Sequence, residues 1–506
     1  MSYLGLDVGT SGCKAAVFDE DGHLLAAAYR EYPVRHGCDG AAELDVERVC
    51  SACLEVIAEA AAAARGDPVR AMAISSQGEA FAALDAGGRV LAPAMVSSDS
   101  RAATIAADWS ELFGRERLYR ITGHTAHPMF TLFKLLWLRQ YRPEVWRESR
   151  RFLCFEDLLQ SRLGLTPRMS WPLAGRTMLF DVTSHAWSPG ILAAIGLTTE
   201  FFAEPAPSGA SVGTIPRSVA GRLGLADNVL LVAGGHDQMC AALGAGSTSP
   251  DQAMYATGTV ECIAPLFPSP VFSAALMANN LCTYDAALNG MYGTVAFCLT
   301  GGNLLQWYRD QFGAAESAEA ARRGDSAYEL LLRQMPDQPT PLLVLPYFTP
   351  SGTPYFDLHT PGVIYGLRLS TTRGELLRGL LEGVAFEMRV NVEILTQAGI
   401  IISEFRATGG GARNRRWNQL KADVLGRPMA TVASCEAGCC GAAMLAAAAD
   451  QNVPAAELGQ RWVRCEAVFE PNPQRQAFYD DQFQKYQRLY QAVRNIVPSP
   501  GGRGPG

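Results

Sequence analysis

The chain has 506 residues, 48% of them hydrophobic and 18% charged, with a formal net charge of −7 at pH 7. This composition excludes a disordered chain, while the absence of a long basic block and of a membrane-length apolar run argues against nucleic-acid or membrane partners. The length favours two domains, and 13 scattered cysteines with an N-terminus that lacks signal-peptide character predict a reduced, cytoplasmic protein.

The first predicted element is a β-hairpin. Apolar residues from Tyr3 to Leu6 and from Cys13 to Phe18 flank the turn Asp7-Val8-Gly9-Thr10-Ser11-Gly12. Asp7 either shapes this turn only, or it faces a metal while the turn offers backbone N–H groups and hydroxyls to a phosphate.

A helix and a buried strand follow the hairpin. Asp45 is a candidate N-cap for a helix with apolar residues at helical spacing, namely Val49, Cys53, Val56, Ile57 and Ala60. The next strand, Val69 to Ser75, leads into the polar corner Ser75 to Glu79, and a helical region that includes Phe133 to Leu138 comes after it. The alternation of strands and helices predicts an α/β fold.

The second half of the chain repeats the pattern of the first. The apolar run Val229 to Ala233 ends in Gly234-Gly235-His236-Asp237, and Ala253 to Ile263 again has the order strand, Gly-Thr turn, strand. We interpret this as a weak internal duplication with a domain boundary near Gly246 to Pro250. A glycine corner, Thr408 to Asn414, precedes a helix from Trp417 to Leu425, so its amides can bind a polar or anionic ligand.

Each motif alone is a weak signal, and neither a Walker loop nor a Rossmann fingerprint is present in its usual context. Their order, from Asp7 to about Ala447, resembles the FGGY family of carbohydrate kinases. The stretches Met129 to Leu138 and Gly362 to Leu367 resemble the two signature regions of that family. The resemblance implies two ribonuclease-H-like domains of the actin and sugar-kinase superfamily, residues 1–246 and 247–498, with ATP in the cleft between them. The proline- and glycine-rich composition of residues 499–506 separately predicts a flexible tail.

Phosphoryl transfer to an alcohol needs a base, a metal and donors for the phosphates. By resemblance Asp237 is the base, although it could instead cap a helix from Met239 to Ala245, and Asp7 acts on Mg²⁺ through water. The resemblance assigns the ATP contacts to Thr10, Ser11, Gly258, Thr259, Gly302, Gln306, Gly410, Gly411 and Asn414. Lys14 either adds charge there or is a solvated strand lysine, and Trp307 fits a core position better than a base-stacking one.

The sugar side is implied by the same resemblance. The expected ligands are Gln77, Gly78, Glu79, Asp99, Arg101, Met129 and Gln238, with Asp237 beside them. The loop departs from the Gln-Met-His-Gly of xylulose kinases and from the Gln-Arg-Glu of glycerol kinases, and Ser97 to Arg101 lacks the family's tryptophan. The first choice is a xylulose kinase that forms D-xylulose 5-phosphate. His236 and Glu261 resemble fuculose kinases, and another ketose, a polyol such as glycerol or erythritol, or gluconate is the alternative.

Two other classes of protein share this cleft architecture. A nucleotide-dependent chaperone or filament protein lacks a sugar pocket, and a silent sugar sensor needs neither Asp7 nor Asp237. The polar corner Gln77 to Glu79 and the strand-end Asp237 favour a small-molecule kinase. The sequence leaves the oligomeric state open, a homodimer included.

Overall fold

The computed structural model describes residues 1–357, 359–433, 436–494 and 496, so the expected tail, 499–506, lies outside the described residues. Its strands form two large sheets, one from each half of the chain, and helices pack on them. Within the described part of the chain, none of the helices is long and apolar enough to cross a bilayer.

The first half of the chain contains fifteen of the strands described. They are β1 Ser2–Val8, β2 Gly12–Asp19, β3 Leu24–Glu31, β4 Arg35–His36, β5 Ala42–Leu44, β6 Val69–Ser76, β7 Phe81–Leu84, β8 Ala94–Met95, β9 Arg151–Cys154, β10 Arg168–Ser170, β11 Phe180–Asp181, β12 Ala186–Trp187, β13 Glu204–Ala206, β14 Ser211–Thr214 and β15 Leu230–His236. The helices here are α1 Val46–Ala63, α2 Ala103–Phe113, α3 Arg115–Thr122, α4 Thr131–Tyr141, α5 Pro143–Glu148, α6 Phe155–Arg162, α7 Trp171–Gly175, α8 Pro189–Ile195, α9 Arg217–Arg222 and α10 Asp237–Gly244, with a 3₁₀ turn at Thr199–Phe201.

The strands of the second half are β16 Gln252–Thr257, β17 Glu261–Phe267, β18 Tyr284–Asp285, β19 Tyr292–Gly293, β20 Ala296–Cys298, β21 Leu343–Leu345, β22 Val363–Tyr365, β23 Glu404–Thr408, β24 Met429–Val432 and β25 Cys465–Phe469. Its helices are α11 Ala274–Ala278, α12 Gly302–Phe312, α13 Ala314–Arg323, α14 Ala327–Arg333, α15 Arg373–Gln397, α16 Arg415–Leu425, α17 Ala437–Gln451, α18 Ala455–Trp462 and α19 Pro473–Arg494, with a 3₁₀ turn at Gly410–Arg413.

The first sheet has the strand order β14-β15-β6-β1-β2-β3. Strands β1 and β2 form the predicted antiparallel hairpin, β6 runs parallel to β1, and β15 runs parallel to β6. The carboxyl ends of β1, β6 and β15 therefore lie at one edge of the sheet, where open α/β sheets bind their ligands.

The second sheet repeats this arrangement. Strands β16 and β17 form an antiparallel hairpin, β23 runs parallel to β16, and β24 runs parallel to β23. The two halves thus share the order hairpin, parallel strand, parallel strand, which agrees with the duplication inferred from the sequence.

Helix α17 comes late in the chain but packs on the first sheet and against α10. Glycines allow the close approach: a Cβ on Gly5 would lie 1.8 Å from the carbonyl oxygen of Cys439, and one on Gly441 would lie 1.9 Å from that of Cys240. The two halves of the chain are therefore in direct contact beside the hairpin that carries Asp7.

The predicted elements agree with the structure in type and differ at their ends. Asp45 caps α1 by accepting a hydrogen bond from the backbone N–H of Arg48, and the five predicted core residues of that helix are buried. Strand β15 continues through the glycines to His236 because Gly234 packs on Ile74, where a Cβ would lie 1.9 Å from the carbonyl oxygen. Helix α10 consequently starts at Asp237, which is its first helical residue and not its N-cap.

Candidate active site

A cavity of about 210 Å³ lies at the carboxyl ends of β1, β6 and β15. Its lining includes seven residues that the sequence assigned to the phosphate hairpin and the substrate, namely Thr10, Gln77, Gly78, Glu79, Met129, Asp237 and Gln238. Val260, Phe297 and Phe356 contribute from the second half of the chain. Both halves therefore enclose this space, which we call the polar cavity.

A second cavity, of about 520 Å³, lies between the β16–β17 hairpin, the start of α12 and the glycine corner before α16. All seven residues assigned to the nucleotide in this half line it: Gly258, Thr259, Gly302, Gln306, Gly410, Gly411 and Asn414. Gly302 must be small here, since a Cβ would lie 2.4 Å from the carbonyl oxygen of Gly258. Trp307 lies outside this lining, half-buried, with its ring 4.9 Å from that of Phe348. We call this space the glycine-lined cavity.

Asp7 is the last but one residue of β1 and lies outside the described linings of both cavities. Ser11 and Lys14 also lie outside them. The Asp7 carboxylate accepts a hydrogen bond of 2.6 Å from the Ser75 hydroxyl, and burial raises its pKa. The Lys14 ammonium pairs with Glu436 at 2.7 Å. No cluster of three or more His, Cys, Asp or Glu side chains arranged for a metal occurs among the described residues, but Mg²⁺ is commonly held by one or two carboxylates, waters and phosphates.

Asp237 occupies the first turn of α10 and faces the polar cavity. Burial, together with the negative charges of Asp7 and Glu79, raises its pKa to about 7. A carboxyl group with this pKa exchanges protons readily near neutral pH, which is the property of a general base.

His236 and Tyr284 form a chain of contacts that ends at the Asp237 carboxylate. The Nε2 atom of His236 lies 3.2 Å from Oδ1 of Asp237, and its Nδ1 atom lies 2.9 Å from the Tyr284 hydroxyl. Burial lowers the pKa of His236 well below its usual value, so the ring is neutral. Because an ionised carboxylate only accepts hydrogen bonds, we assign the ring proton to Nε2, and the Tyr284 hydroxyl donates to Nδ1.

Glu79 has a backbone φ of 66°, in the left-handed region that favours glycine. The Thr131 hydroxyl and the Lys134 ammonium donate to its carbonyl oxygen at 2.9 and 3.4 Å, and the buried Lys134 also donates to the carbonyl of Met95 at 3.0 Å. Backbone strain of this kind persists where surrounding contacts hold it, and it is frequent at functional sites.

The Glu79 carboxylate is paired with a buried arginine. It accepts a hydrogen bond of 2.6 Å from Nε of Arg176, a buried residue whose Nη1 atom lies 3.3 Å from Nε2 of His124. Burial and the positive charge of Arg176 lower the pKa of His124 to about 3, so His124 adds no charge. The cavity therefore presents a neutralised Glu79–Arg176 pair rather than a free carboxylate.

Gln77 and Gln238, two of the expected sugar ligands, form hydrogen bonds within the protein. The Gln77 amide bridges the Thr10 hydroxyl at 3.1 Å and the carbonyl oxygen of Gly9 at 3.0 Å, which joins the end of β6 to the first hairpin. The Gln238 amide oxygen accepts from the Cys262 thiol at 3.0 Å.

Asp99 and Arg101 do not belong to the described lining of the polar cavity. The Asp99 carboxylate accepts from the backbone N–H of Ala42 at 2.9 Å and from Arg101. The Arg101 guanidinium pairs with Glu43 and lies 4.3 Å from the ring centre of Trp137. These contacts fix the loop that brings Ser97 to the cavity, and they account for the positions of both side chains.

Sequence reasoning missed Arg176 and His124, which line the polar cavity, and Tyr284, which contacts the cavity residue His236. Arg176 follows the short helix α7, and Tyr284 lies in the two-residue strand β18. Neither lies in a motif, and both reach the site through the tertiary fold alone. For His236, the sequence signals are its resemblance to the fuculose kinases and its position directly before Asp237.

Comparisons with known proteins agree with this geometry. Residues 2–244 match the N-terminal domain of the FGGY family of carbohydrate kinases, and residues 253–449 match its C-terminal domain. The chain is 29% identical over 505 residues to a xylulose kinase of Escherichia coli (98% of this chain, 100% of the relative) and 26% identical over 517 residues to an autoinducer-2 kinase of Klebsiella pneumoniae (99% and 96%). A crystal structure of a xylulose kinase from Brucella ovis superposes with a TM-score of 0.88 at 27% identity, covering 98% of this chain and 100% of the other.

These matches cover the chain almost from end to end, and they confirm the family and the fold class predicted from the sequence. The two sheets with their paired hairpins are the two-domain fold of these kinases. The chain belongs to the FGGY family of carbohydrate kinases and is a sugar kinase.

Proposed function

We propose that this kinase transfers the γ-phosphate of ATP, with Mg²⁺, to a terminal hydroxyl of a small neutral ketose, and that its substrate is D-xylulose, which becomes D-xylulose 5-phosphate. The main support for phosphoryl transfer is that the turn between β16 and β17 separates the two cavities. Gly258 and Thr259 line the glycine-lined cavity, while Val260 lines the polar cavity that contains Asp237. A phosphate held by this turn is thus next to an acceptor held at Asp237.

In this proposal each residue has a defined task. Asp237 accepts the proton of the attacking hydroxyl, and the amides and hydroxyls of the two hairpins, with Thr10, Ser11 and Thr259, hold the phosphates in line. Mg²⁺ would neutralise phosphate charge, and Asp7 is the residue that would hold it through water. The Lys14 ammonium is paired with the Glu436 carboxylate. In this proposal its role is therefore a secondary one, near Asp7.

The charge of the polar cavity favours a neutral acceptor. Glu79 neutralises Arg176, and the lining histidines His124, His127 and His236 are uncharged because burial lowers the pKa of each. Among the lining residues that the structure describes, the cavity therefore offers no free cation to the carboxylate of an aldonic acid. Xylulose kinases among the relatives support a ketopentose, whereas the autoinducer-2 kinase shows that sequences this similar also accept other ligands.

The division into domains 1–246 and 247–498 is part of the same proposal, as is a cytoplasmic location. The family matches end at residue 244 and resume at residue 253, on either side of the proposed boundary. No disulfide is formed among the cysteines that the structure describes, which supports a reducing compartment.

A screen of ADP release tests the substrate. Purified protein with ATP and Mg²⁺ is assayed with D-xylulose, L-fuculose, glycerol, erythritol and gluconate, and with no sugar. We expect the highest kcat/KM with D-xylulose and the lowest with gluconate, because of the cavity's neutral charge. A preference for gluconate would contradict the charge argument, and ATP hydrolysis stimulated by none of the sugars would favour a chaperone-like ATPase or a sensor.

The pH dependence of the reaction tests the base. Asp237 acts only as the carboxylate, and its pKa is raised to about 7. We therefore expect kcat/KM to rise about tenfold per pH unit below pH 7 and to level off above it. A stopped assay in one buffer series from pH 5 to pH 9 measures this, with the coupling enzymes checked at each pH. A profile that is flat between pH 5.5 and pH 8 would exclude Asp237 as the titrating base.

A further inference from the structure

A lysine lies wholly buried behind the glycine-lined cavity. Lys421, on α16, is 1% exposed, and its ammonium lies 2.9 Å from the carboxylate of Glu261, which is fully buried. The same ammonium lies 4.5 Å from the ring centres of Tyr255 and Trp417. A buried cation of this kind is tolerated only when it is paired and hydrogen-bonded, so its position is strongly determined.

Lys421 also donates a hydrogen bond to the hydroxyl of Thr257. Thr257 is the last residue of β16, directly before the Gly258-Thr259 turn, and it lines the glycine-lined cavity. Its methyl group packs on the glycine corner, where a Cβ on Gly411 would lie 2.2 Å from Cγ2. One lysine thus joins the two loops that enclose this cavity.

The chemistry of the contact fixes the role of the Thr257 hydroxyl. An ammonium group has donors and no acceptor, so the threonine oxygen accepts and its own hydrogen remains available to donate. Among the residues that the structure describes, no hydrogen bond takes up that hydrogen. Since Thr257 lines the cavity, a ligand oxygen there is the acceptor that the geometry leaves open.

We infer that Thr257 is a further ligand of the phosphate chain of the nucleotide and that Lys421 is the positioning residue that orients its hydroxyl. The inference rests on the proposed function, because it takes the glycine-lined cavity as the ATP site. Lys421 does not itself touch the nucleotide: its charge is neutralised by Glu261, whose other oxygen accepts from the Tyr255 hydroxyl. The pair holds the β16–β17 turn against α16.

The test uses two substitutions of nearly equal size at Thr257. Thr257→Val removes the hydroxyl and keeps the packing on Gly411, whereas Thr257→Ser keeps the hydroxyl. Calorimetric titration of each full-length variant with ATP, and separately with adenosine, is the measurement. We expect Thr257→Val to weaken ATP binding about tenfold or more, as for a lost hydrogen bond to a charged group, and to leave adenosine binding unchanged. Thr257→Ser should bind ATP as the unaltered protein does.

Lys421 is tested by non-additivity. Removing Lys421 alone leaves the buried carboxylate of Glu261 without its cation and can prevent folding. The double variant Lys421→Met with Glu261→Gln is therefore used instead. We expect Thr257→Val to weaken ATP binding less in this background than in the unaltered protein, because its hydroxyl is no longer oriented. Equal effects in both backgrounds would overturn the positioning role.

The outcomes separate the inference from the proposed function. If the unaltered protein does not bind ATP, the proposed function fails and the inference fails with it. If the unaltered protein binds ATP and Thr257→Val binds it equally well, only the inference is overturned. Equal loss of ATP and adenosine binding in Thr257→Val would also overturn it, because that result indicates damage to the cavity rather than loss of a phosphate contact.

Discussion

Replacing Asp237 by Asn is expected to lower kcat by about 10³-fold, within the range that general-base catalysis contributes. The amide cannot accept the proton of the sugar hydroxyl, but it keeps the size of the carboxylate and therefore its 3.2 Å contact with Nε2 of His236. Asp237 is not in the described lining of the glycine-lined cavity, so ATP affinity should stay near that of the unaltered protein. Steady-state kinetics with calorimetric ATP titration separate the two effects.

The matched control is Asp157→Asn. Asp157 is another buried aspartate whose pKa is raised by burial, but it lies on α6 outside both cavity linings as described. Its replacement should leave kcat nearly unchanged. If Asp237→Asn retained more than a tenth of the turnover, or if the control lost as much, Asp237 would not be the base.

The same variant gives an independent readout in stability. The folded pKa of Asp237 is raised above the ordinary value of 3.8, so this group's contribution to the free energy of unfolding is greatest below pH 3.8 and is lost as pH rises through about 7. At pH 8 the unaltered protein carries a buried charge that Asp237→Asn lacks. The variant should therefore have the higher Tm at pH 8, and a smaller advantage at pH 5.

The glycine-lined cavity was largely predictable from the sequence because its residues follow from local chemistry. Glycines with a hydroxyl residue directly after an apolar strand, as at Gly258 and Thr259, can form few structures other than a tight turn that exposes its amides. The glycine corner before α16 follows the same rule at a helix N-terminus. The sequence of such a motif determines its backbone geometry. The seven residues assigned to the nucleotide in the second half of the chain line one cavity.

The polar cavity depends on contacts between distant segments, which a single sequence does not reveal. Glu79 and Arg176 are 97 positions apart, and His236 and Tyr284 are 48 apart. Asp99 and Arg101 are the converse case, since the family pattern identifies their loop but does not place their side chains in the described lining of the cavity. Lys421 differs again, because a lysine in a helix is ordinarily exposed and only its buried partner Glu261 explains its position.

The second large effect is expected in stability, at the Glu79–Arg176 pair. Arg176→Met should lower the free energy of unfolding by about 3–5 kcal/mol, because it leaves the carboxylate of Glu79 buried without its cation. Glu79→Gln should cost a similar amount, because it leaves the guanidinium of Arg176 buried without its anion. Urea denaturation measures both. Both variants should also raise the KM for the sugar, because both side chains line the polar cavity.

An exposed ion pair supplies the matched control. Arg120 and Glu116 lie 2.8 Å apart on α3, with side chains 66% and 68% exposed. Arg120→Met should change the free energy of unfolding by no more than about 0.5 kcal/mol, because water replaces the partner of an exposed charge. The two arginine substitutions remove the same group, so the difference between them measures the effect of burial.

The double variant Glu79→Gln with Arg176→Met decides whether the pair acts as a unit. It contains neither buried charge, so it should be more stable than the sum of the single changes predicts, by about 1–3 kcal/mol. Stability would then recover while the KM for the sugar stays raised, because the guanidinium that faces the cavity is still missing. If Arg176→Met is no less stable than Arg120→Met, the buried pair does not support the fold. If the double variant regains the original KM, Arg176 has no part in binding the sugar.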